Sequence, residues 1–341
     1  MGIRRFTRVL IVLSVLCATQ LSAQQTRPVI LPRVDGFAAG FQTRSHYYAL
    51  LSDRESSWYA LAGYGTPRDL PQASEEGVAI LRELTFDAGF IQTIAGDRRY
   101  APAALDLAFS TGARVREAND STHRFELEPR LALRLSSGPD RSPWATRRGE
   151  LTVHTGVRSS LLVLDAQGQA PEINLPFASA EASIQRELLG HWLMIEASAR
   201  GEQVFGSDVT LNDARESAPW MLAFARDYRG PVVPEASVAS GYGELGLRSR
   251  IVRFRWYAEW AAEAVLFAQT AAVSESLASL GQAWGGISEN RSYAWGAGLT
   301  ARTRHTPVSM DLSVHAGVAF DVEDASQSRA YVYLETRRPG D

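Results

Sequence analysis

The chain has 341 residues, 45% of them apolar and 21% charged, with a formal net charge of −3. That balance excludes the strongly basic surface of a nucleic-acid binder. The single cysteine, Cys17, lies near the start, so neither a disulfide framework nor a thiolate metal site is available to the rest. All 35 basic residues are arginine.

The N-terminus reads as an export signal over 1–23. Arg4 and Arg5 precede the apolar segment Val9 to Ala18, and Leu21-Ser22-Ala23 supplies a small-residue cleavage site. Beyond it no apolar run approaches the roughly 18 residues of a spanning helix. An exported chain of this kind enters a membrane only as a closed barrel of strands, because lipid leaves no other way to satisfy the backbone.

Residues 24–33, with Pro28 and Pro32, are expected to form a short periplasmic lead. Strand candidates follow at Val34 to Arg44, Trp58 to Gly65, Glu83 to Ala95 and Ala103 to Glu117. Arg124 to Leu135 shows the period-two pattern best: Phe125, Leu127, Leu131, Leu133 and Leu135 alternate with Arg124, Glu126, Glu128, Arg130 and Arg134. Pro129, which lacks a ladder donor, marks a bulge or an edge there. The series continues at Glu150 to Asp165, Ala178 to Leu189, His191 to Phe205, Pro219 to Asp227, Gly241 to Ile251 and Phe254 to Gln269.

The longest alternating pair runs from Tyr293 to Phe320, broken at His305-Thr306-Pro307. Val308, Met310, Leu312, Val314, Ala316, Val318 and Phe320 form one unbroken apolar face. A last strand is expected at Ser328 to Arg337, and 338–341 as a polar tail. The reading is all-β, a single transmembrane antiparallel β-barrel of about 14–16 strands over 34–337. Trp58, Trp192, Trp256, Tyr293 and Trp295 suit interfacial aromatic belts.

From about residue 220 onward the order of features resembles the BamA/TamA-type bacterial surface-antigen superfamily. Asp227-Tyr228-Arg229-Gly230 is similar to that family's Arg-Gly element, carried on a long loop that folds back into the barrel. Five strand candidates follow it, and Gly296-x-Gly298-Leu299, Thr306-Pro307 and Met310-Asp311-Leu312 are the most family-like stretches. The resemblance implies a Gram-negative outer-membrane protein, here expected as the barrel without periplasmic domains. It also implies a loop latch at Arg229 and Gly230, with Glu259, Glu263 and Asp311 as acidic candidates on the lumen wall. Arg302 and Asp311 are expected to pair across their turn.

The implied role is outer-membrane biogenesis or translocation of polypeptide or lipid. Its partners would be outer-membrane lipid and assembly proteins of the periplasm or outer membrane, with no nucleic acid and a monomeric chain. A passive porin-like channel or structural barrel is the alternative, and a secreted β-sandwich binding module a third reading. No enzyme is expected. Ser313 with His315, and His154 near Ser159, are the nucleophile and base pairs on offer, and neither has an orienting third residue. No phosphate loop or zinc-type His pair is present, so no cofactor or metal is expected.

Overall fold

The computed structural model describes residues 22–33, 36–49, 52–65, 80–96, 103–118, 123–137, 147–164, 172–189, 192–256, 258–285, 291–304 and 312–336. Residues 1–21, which hold most of the expected export signal, and the tail 338–341 lie outside them.

The described residues form one fourteen-stranded antiparallel sheet in strict sequence order. Its strands are β1 (Ser22–Arg33), β2 (Gly36–Ala49), β3 (Ser52–Gly65), β4 (Ile80–Gly96), β5 (Ala103–Ala118), β6 (His123–Ser137), β7 (Arg147–Leu164), β8 (Ile173–Leu189), β9 (Leu193–Val204), β10 (Ala239–Trp256), β11 (Ala258–Ser274), β12 (Arg291–Arg304), β13 (Leu312–Asp321) and β14 (Ser328–Thr336). Cα atoms of β14 and β1 come within 8 Å of each other, although among the described residues no ladder joins them. Connections at one end, such as 66–79, 205–238 and 275–290, are long, whereas those at the other, such as 190–192 and 257, are short.

The two faces of the sheet are inverted relative to a water-soluble protein. On β6 the side chains of Arg124, Glu126, Glu128 and Arg134 are buried at 4–6% exposure, while Leu131, Leu133 and Leu135 are 46–47% exposed. The same division recurs on the other strands: Phe86, Val153, Ile184, Leu245, Leu266 and Leu299 are exposed. Trp58, Trp192 and Trp295 are exposed with them. A continuous apolar outer face over a charged interior is the arrangement lipid imposes, since water would reverse it.

Three element boundaries and one proline differ from the sequence reading, each for a physical reason. The segment expected as a short lead is strand β1, in register with β2 from Arg33↔Gly36 onward. Pro28 and Pro32 hide it from a propensity reading, yet β1 ends the sheet, where a strand tolerates missing donors. The turn expected at 252–253 falls instead after Trp256, because Phe254 pairs with Trp260 and Trp256 with Ala258. The alternation runs through that turn without a glycine or proline to mark it. Finally, Pro219 to Asp227 is not a strand but part of the long segment between β9 and β10.

Pro129 sits in neither a bulge nor an edge. It faces Thr111 of β5, and the ladder to β7 skips from Leu127↔Ser159 to Arg130↔Gly156 without a change of register. A side chain at Gly156 would come within 2.3 Å of the Pro129 carbonyl oxygen, so a glycine is required at this gap.

Candidate functional site: a loop fastened inside the sheet

Residues 205–238 fold into the concave side of the sheet. Val204 N donates to Val238 O at 2.9 Å and closes the base of the segment. Helix α1 (Asp208–Ser217) follows, capped by Ser207, whose hydroxyl accepts from Thr210 N. Pro219 starts a 3-10 turn over Pro219–Met221, and a two-way bridge between Ala223 and Ser237 draws the loop into a narrow neck. From Ala218 to Ala225 every residue is buried. This is why the run reads as a strand in sequence: it is apolar, but it is covered on all sides rather than on one.

Two sets of wall residues hold the loop. On β8, Ile173, Leu175 and Phe177 turn apolar side chains inward and pack with Val204, Ala214, Trp220, Met221, Leu222 and Val238. On the neighbouring wall Trp220 Nε1 donates to Glu126 Oε1 at 2.5 Å, and the guanidinium groups of Arg116 and Arg124 lie 5.4 and 5.7 Å from its ring centroid. Arg158 of β7 donates to the carbonyl oxygens of Met221 and Leu222 at 2.9 and 3.3 Å. A lattice of ion pairs backs these contacts: Arg116 with Glu83 and Glu126 at 2.7 and 2.5 Å, Arg114 with Glu128 at 2.9 Å, Arg158 with Glu202 at 2.8 Å. Each buried charge in it has an opposite partner, without which burial would be prohibitive.

The second set lies across the lumen, on β10, β11 and β14, and it receives Arg229. The guanidinium sits 3.1 Å from Glu244 Oε2, and Arg229 N donates to Gln269 Oε1 at 2.9 Å. Gln269 Nε2 in turn donates to Glu244 Oε2 at 2.7 Å and reaches the Tyr242 hydroxyl at 2.9 Å, while Tyr242 donates to Glu244 at 2.5 Å. Rings of Phe267, Tyr333 and Tyr331 surround the guanidinium at 4.8, 5.3 and 5.6 Å. Burial pushes the Arg229 pKa down, but Glu244 outweighs it and holds the group above its ordinary value. Arg229 is therefore a permanent cation pinned by one carboxylate and three aromatic faces.

Glycines make room for this arrangement. A Cβ on Gly230 would meet the Tyr228 ring at 2.4–2.6 Å. On the wall, one on Gly298 or Gly317 would meet the Tyr331 hydroxyl at 2.6 or 2.5 Å, and one on Gly296 would meet Phe267 at 2.4 Å. The lumen space left by Gly296 and Gly298 is thus occupied by the aromatic rings that stack on Arg229.

Of the acidic candidates read from sequence, Glu263 is not the residue beside Arg229. It lies opposite Arg250, six positions along β10 from Glu244 and roughly 20 Å away at strand spacing. Its contacts are with Arg302, Arg248 and Arg250 at 3.7, 3.8 and 3.9 Å. Glu259 stands opposite Arg255 and Arg304 in the ladders, and its side chain lies outside the described residues, as does all of Asp311. Arg302 reaches Glu263 and, at 3.9 Å, Glu196. Sequence reasoning missed Glu244, Tyr242 and Gln269. Tyr242 and Glu244 share a face by alternation, and Gln269 is the one side-chain amide of its strand; both were visible signals.

Ser313 and His315 share the inner face. His315 Nδ1 lies 3.0 Å from Thr300 Oγ1, and its ring stacks on Tyr333 at 4.4 Å. His154 pairs with Ser179 and Ser159 with Asn174, so the two residues of the other pair lie five positions apart on opposite faces.

The class defined by these observations is an open or closing antiparallel barrel with an apolar exterior and a lumen filled by its own loop. No protein-family model matches the sequence, and no curated protein matches it. Among solved structures, CdiB from Escherichia coli aligns with a TM-score of 0.47 at 11% identity, over 88% of this chain and 53% of that one. BamA from Haemophilus ducreyi lacking POTRA domains 1-3 aligns with 0.48 at 10%, over 92% and 69%. CdiB from Acinetobacter baumannii aligns with 0.43 at 10%, over 89% and 51%. The chain spans about half the length of the two CdiB proteins.

Proposed function

We propose that this chain is an outer-membrane β-barrel of surface-antigen type that serves outer-membrane biogenesis or the translocation of polypeptide or lipid, with residues 205–238 as a latched plug. The observation that carries the reading is the attachment of one loop to opposite walls, at Trp220–Glu126 and at Arg229–Glu244. In a passive pore a loop with buried contacts in the lumen would only narrow a permanent path. In a gated conduit the plug sets when the path is open. The apolar exterior supports placement in a lipid bilayer, and β14 and β1, which among the described residues approach each other without a ladder, support a seam at which the wall can part.

Three measurements test this together. The protein should remain in the outer-membrane fraction after urea washing and should change gel mobility on heating. In planar bilayers the intact chain should show low or intermittent conductance, and Arg229→Ala should raise both conductance and protease cleavage within 226–240. A soluble periplasmic location, or a stable ohmic pore in the intact protein, would overturn the proposal.

A further inference from the structure

The wall steps abruptly at the short-connection end. β10 is laddered to β9 only as far as Ser249↔Leu193, with Arg250 N donating to Trp192 O at 3.0 Å just beyond. Its ladder to β11 runs on to Trp256↔Ala258. Residues Ile251 to Trp256 therefore project past the β8–β9 turn as one strand of a two-stranded ribbon, and among the described residues no strand pairs with their other edge. From Ile251 to Arg255 every side chain is exposed, whichever face it takes, whereas farther up the strand Arg248 and Arg250 are buried. The ribbon thus stands clear of the wall on both faces.

Lipid does not tolerate an open strand edge, because no water is there to satisfy its backbone groups. The ribbon accordingly lies in water beyond the hydrocarbon layer, on the side of the short turns, which in outer-membrane barrels is the periplasm. Yet Ile251, Val252 and Phe254 are 44–55% exposed there, and Leu188, Leu189 and Trp192 at the adjacent β8–β9 turn are 51–70% exposed. An apolar surface beside an open edge in water is a template for another strand. The edge also has the right donors. Arg250 and Arg255 face Glu263 and Glu259, an even number of residues apart on β11, so they share a phase of the ladder and the Arg255 N–H also points to the β9 side.

We propose that this edge docks an extended segment of a partner polypeptide, about six residues long, which adds to β10 as an antiparallel strand in the space below β9. Ladder bonds to the open edge supply the hold, and apolar residues at alternate positions of the segment cover Val252 and Phe254 beside Trp192. A peptide backbone offers donors and acceptors at strand spacing, which lipids and small ligands do not. A second copy of this chain fits poorly. Antiparallel pairing of two such ribbons would bring Arg253 and Arg255 of one against those of the other, and like charges opposite each other destabilise a sheet. It would also set the two barrels head to head, which one bilayer does not allow. The site lies outside the lumen and needs no movement of the plug, so it rests on the reading proposed above only for the side of the membrane.

The test uses the full chain in lipid nanodiscs and a fluorescein-labelled octapeptide of alternating valine and threonine. In the antiparallel mode the threonines lie opposite Arg253 and Arg255 and turn their N–H groups toward β10, whereas those of the valines point away. N-methylation at the threonines should therefore abolish binding, and N-methylation at the valines should leave it unchanged. Arg255→Pro removes a donor from the open edge without touching the ladder to β11, and it should weaken binding of the unmethylated peptide by about tenfold. Arg255→Gln keeps that donor and should bind as the parent does. Heat-modifiable mobility of each variant reports folding, and empty nanodiscs report partition into lipid. Equal effects of the two methylations, equal effects of the two substitutions, or a concentration-dependent dimer that Arg255→Pro abolishes would overturn the proposal. A soluble location would remove the membrane reading, and the same peptides in buffer would still decide whether the edge binds a strand.

Discussion

The guanidinium of Arg229 lies 3.1 Å from the carboxylate of Glu244, and that carboxylate also accepts hydrogen bonds from Tyr242 and Gln269. Because both partners are largely buried, removing one leaves the other charge uncompensated. Glu244→Ala should therefore release the loop more than the paired change Arg229→Met with Glu244→Met. Breaking a buried pair from one side costs about 3–5 kcal/mol, whereas an apolar replacement of both partners is often near neutral. Protease cleavage within 226–240 reads the difference. Equal cleavage in the single and paired variants would show that the ion pair does not hold the loop.

The aromatic surround of Arg229 depends on glycines opposite it. Gly298→Ala or Gly317→Ala would bring a methyl group within 2.6 Å of the Tyr331 hydroxyl and of a backbone oxygen. The expected cost is about 1–3 kcal/mol of overpacking, seen as a lower midpoint in the heat-modification curve. Tyr331→Phe combined with Gly317→Ala should recover part of that loss, since the clashing hydroxyl is gone. No recovery would place the strain at the Ala297 carbonyl instead.

Trp220 gives the plug a hold that does not involve Arg229. Trp220→Phe keeps a ring between Arg116 and Arg124 but leaves Glu126 without its indole donor, for about 1–3 kcal/mol. Trp220→Ala also empties a site packed against Ile173, Leu175 and Phe177, and large core truncations of this type cost about 3–5 kcal/mol. With two holds on opposite walls, Arg229→Ala alone should give partial opening, and Arg229→Ala with Trp220→Ala a conductance well above the sum of the single changes. Additive conductances would mean that the holds act independently of a common open state.

These residues also show what sequence patterns carry and what they do not. The Arg124 to Leu135 alternation was legible because one face is apolar and the other carries charge, a contrast with period two. Thirteen of the fourteen strand candidates fall on strands; the other, Pro219 to Asp227, is luminal loop, and β1 lies where the sequence reads as a lead. Trp220 to Ala225 is apolar because the lumen surrounds it, and no local period distinguishes that from a buried strand. Arg229 was legible through its Arg-Gly setting. Its carboxylate was not, because the pairing depends on how far the loop reaches down the barrel, and Glu244 and Glu263 are equivalent in pattern.

The outer face supplies the last test, because lipid and water place opposite demands on one strand. Leu131 on β6 is 46% exposed, while its strand neighbour Ala132 is buried on the inner face. Leu131→Arg should reduce folding into lipid vesicles by about 2–4 kcal/mol if the residue lies near the bilayer midplane. In detergent micelles the loss should be smaller, because the charged head can reach water by snorkelling. Ala132→Ser, one position along, adds a small hydroxyl to a wall already lined with charge and should fold into vesicles as the parent does. The comparison is internal to one strand, so expression level and folding route are common to both variants. Equal folding yields of Leu131→Arg and the parent in vesicles would mean that this face does not meet lipid, and the membrane placement would fall with it.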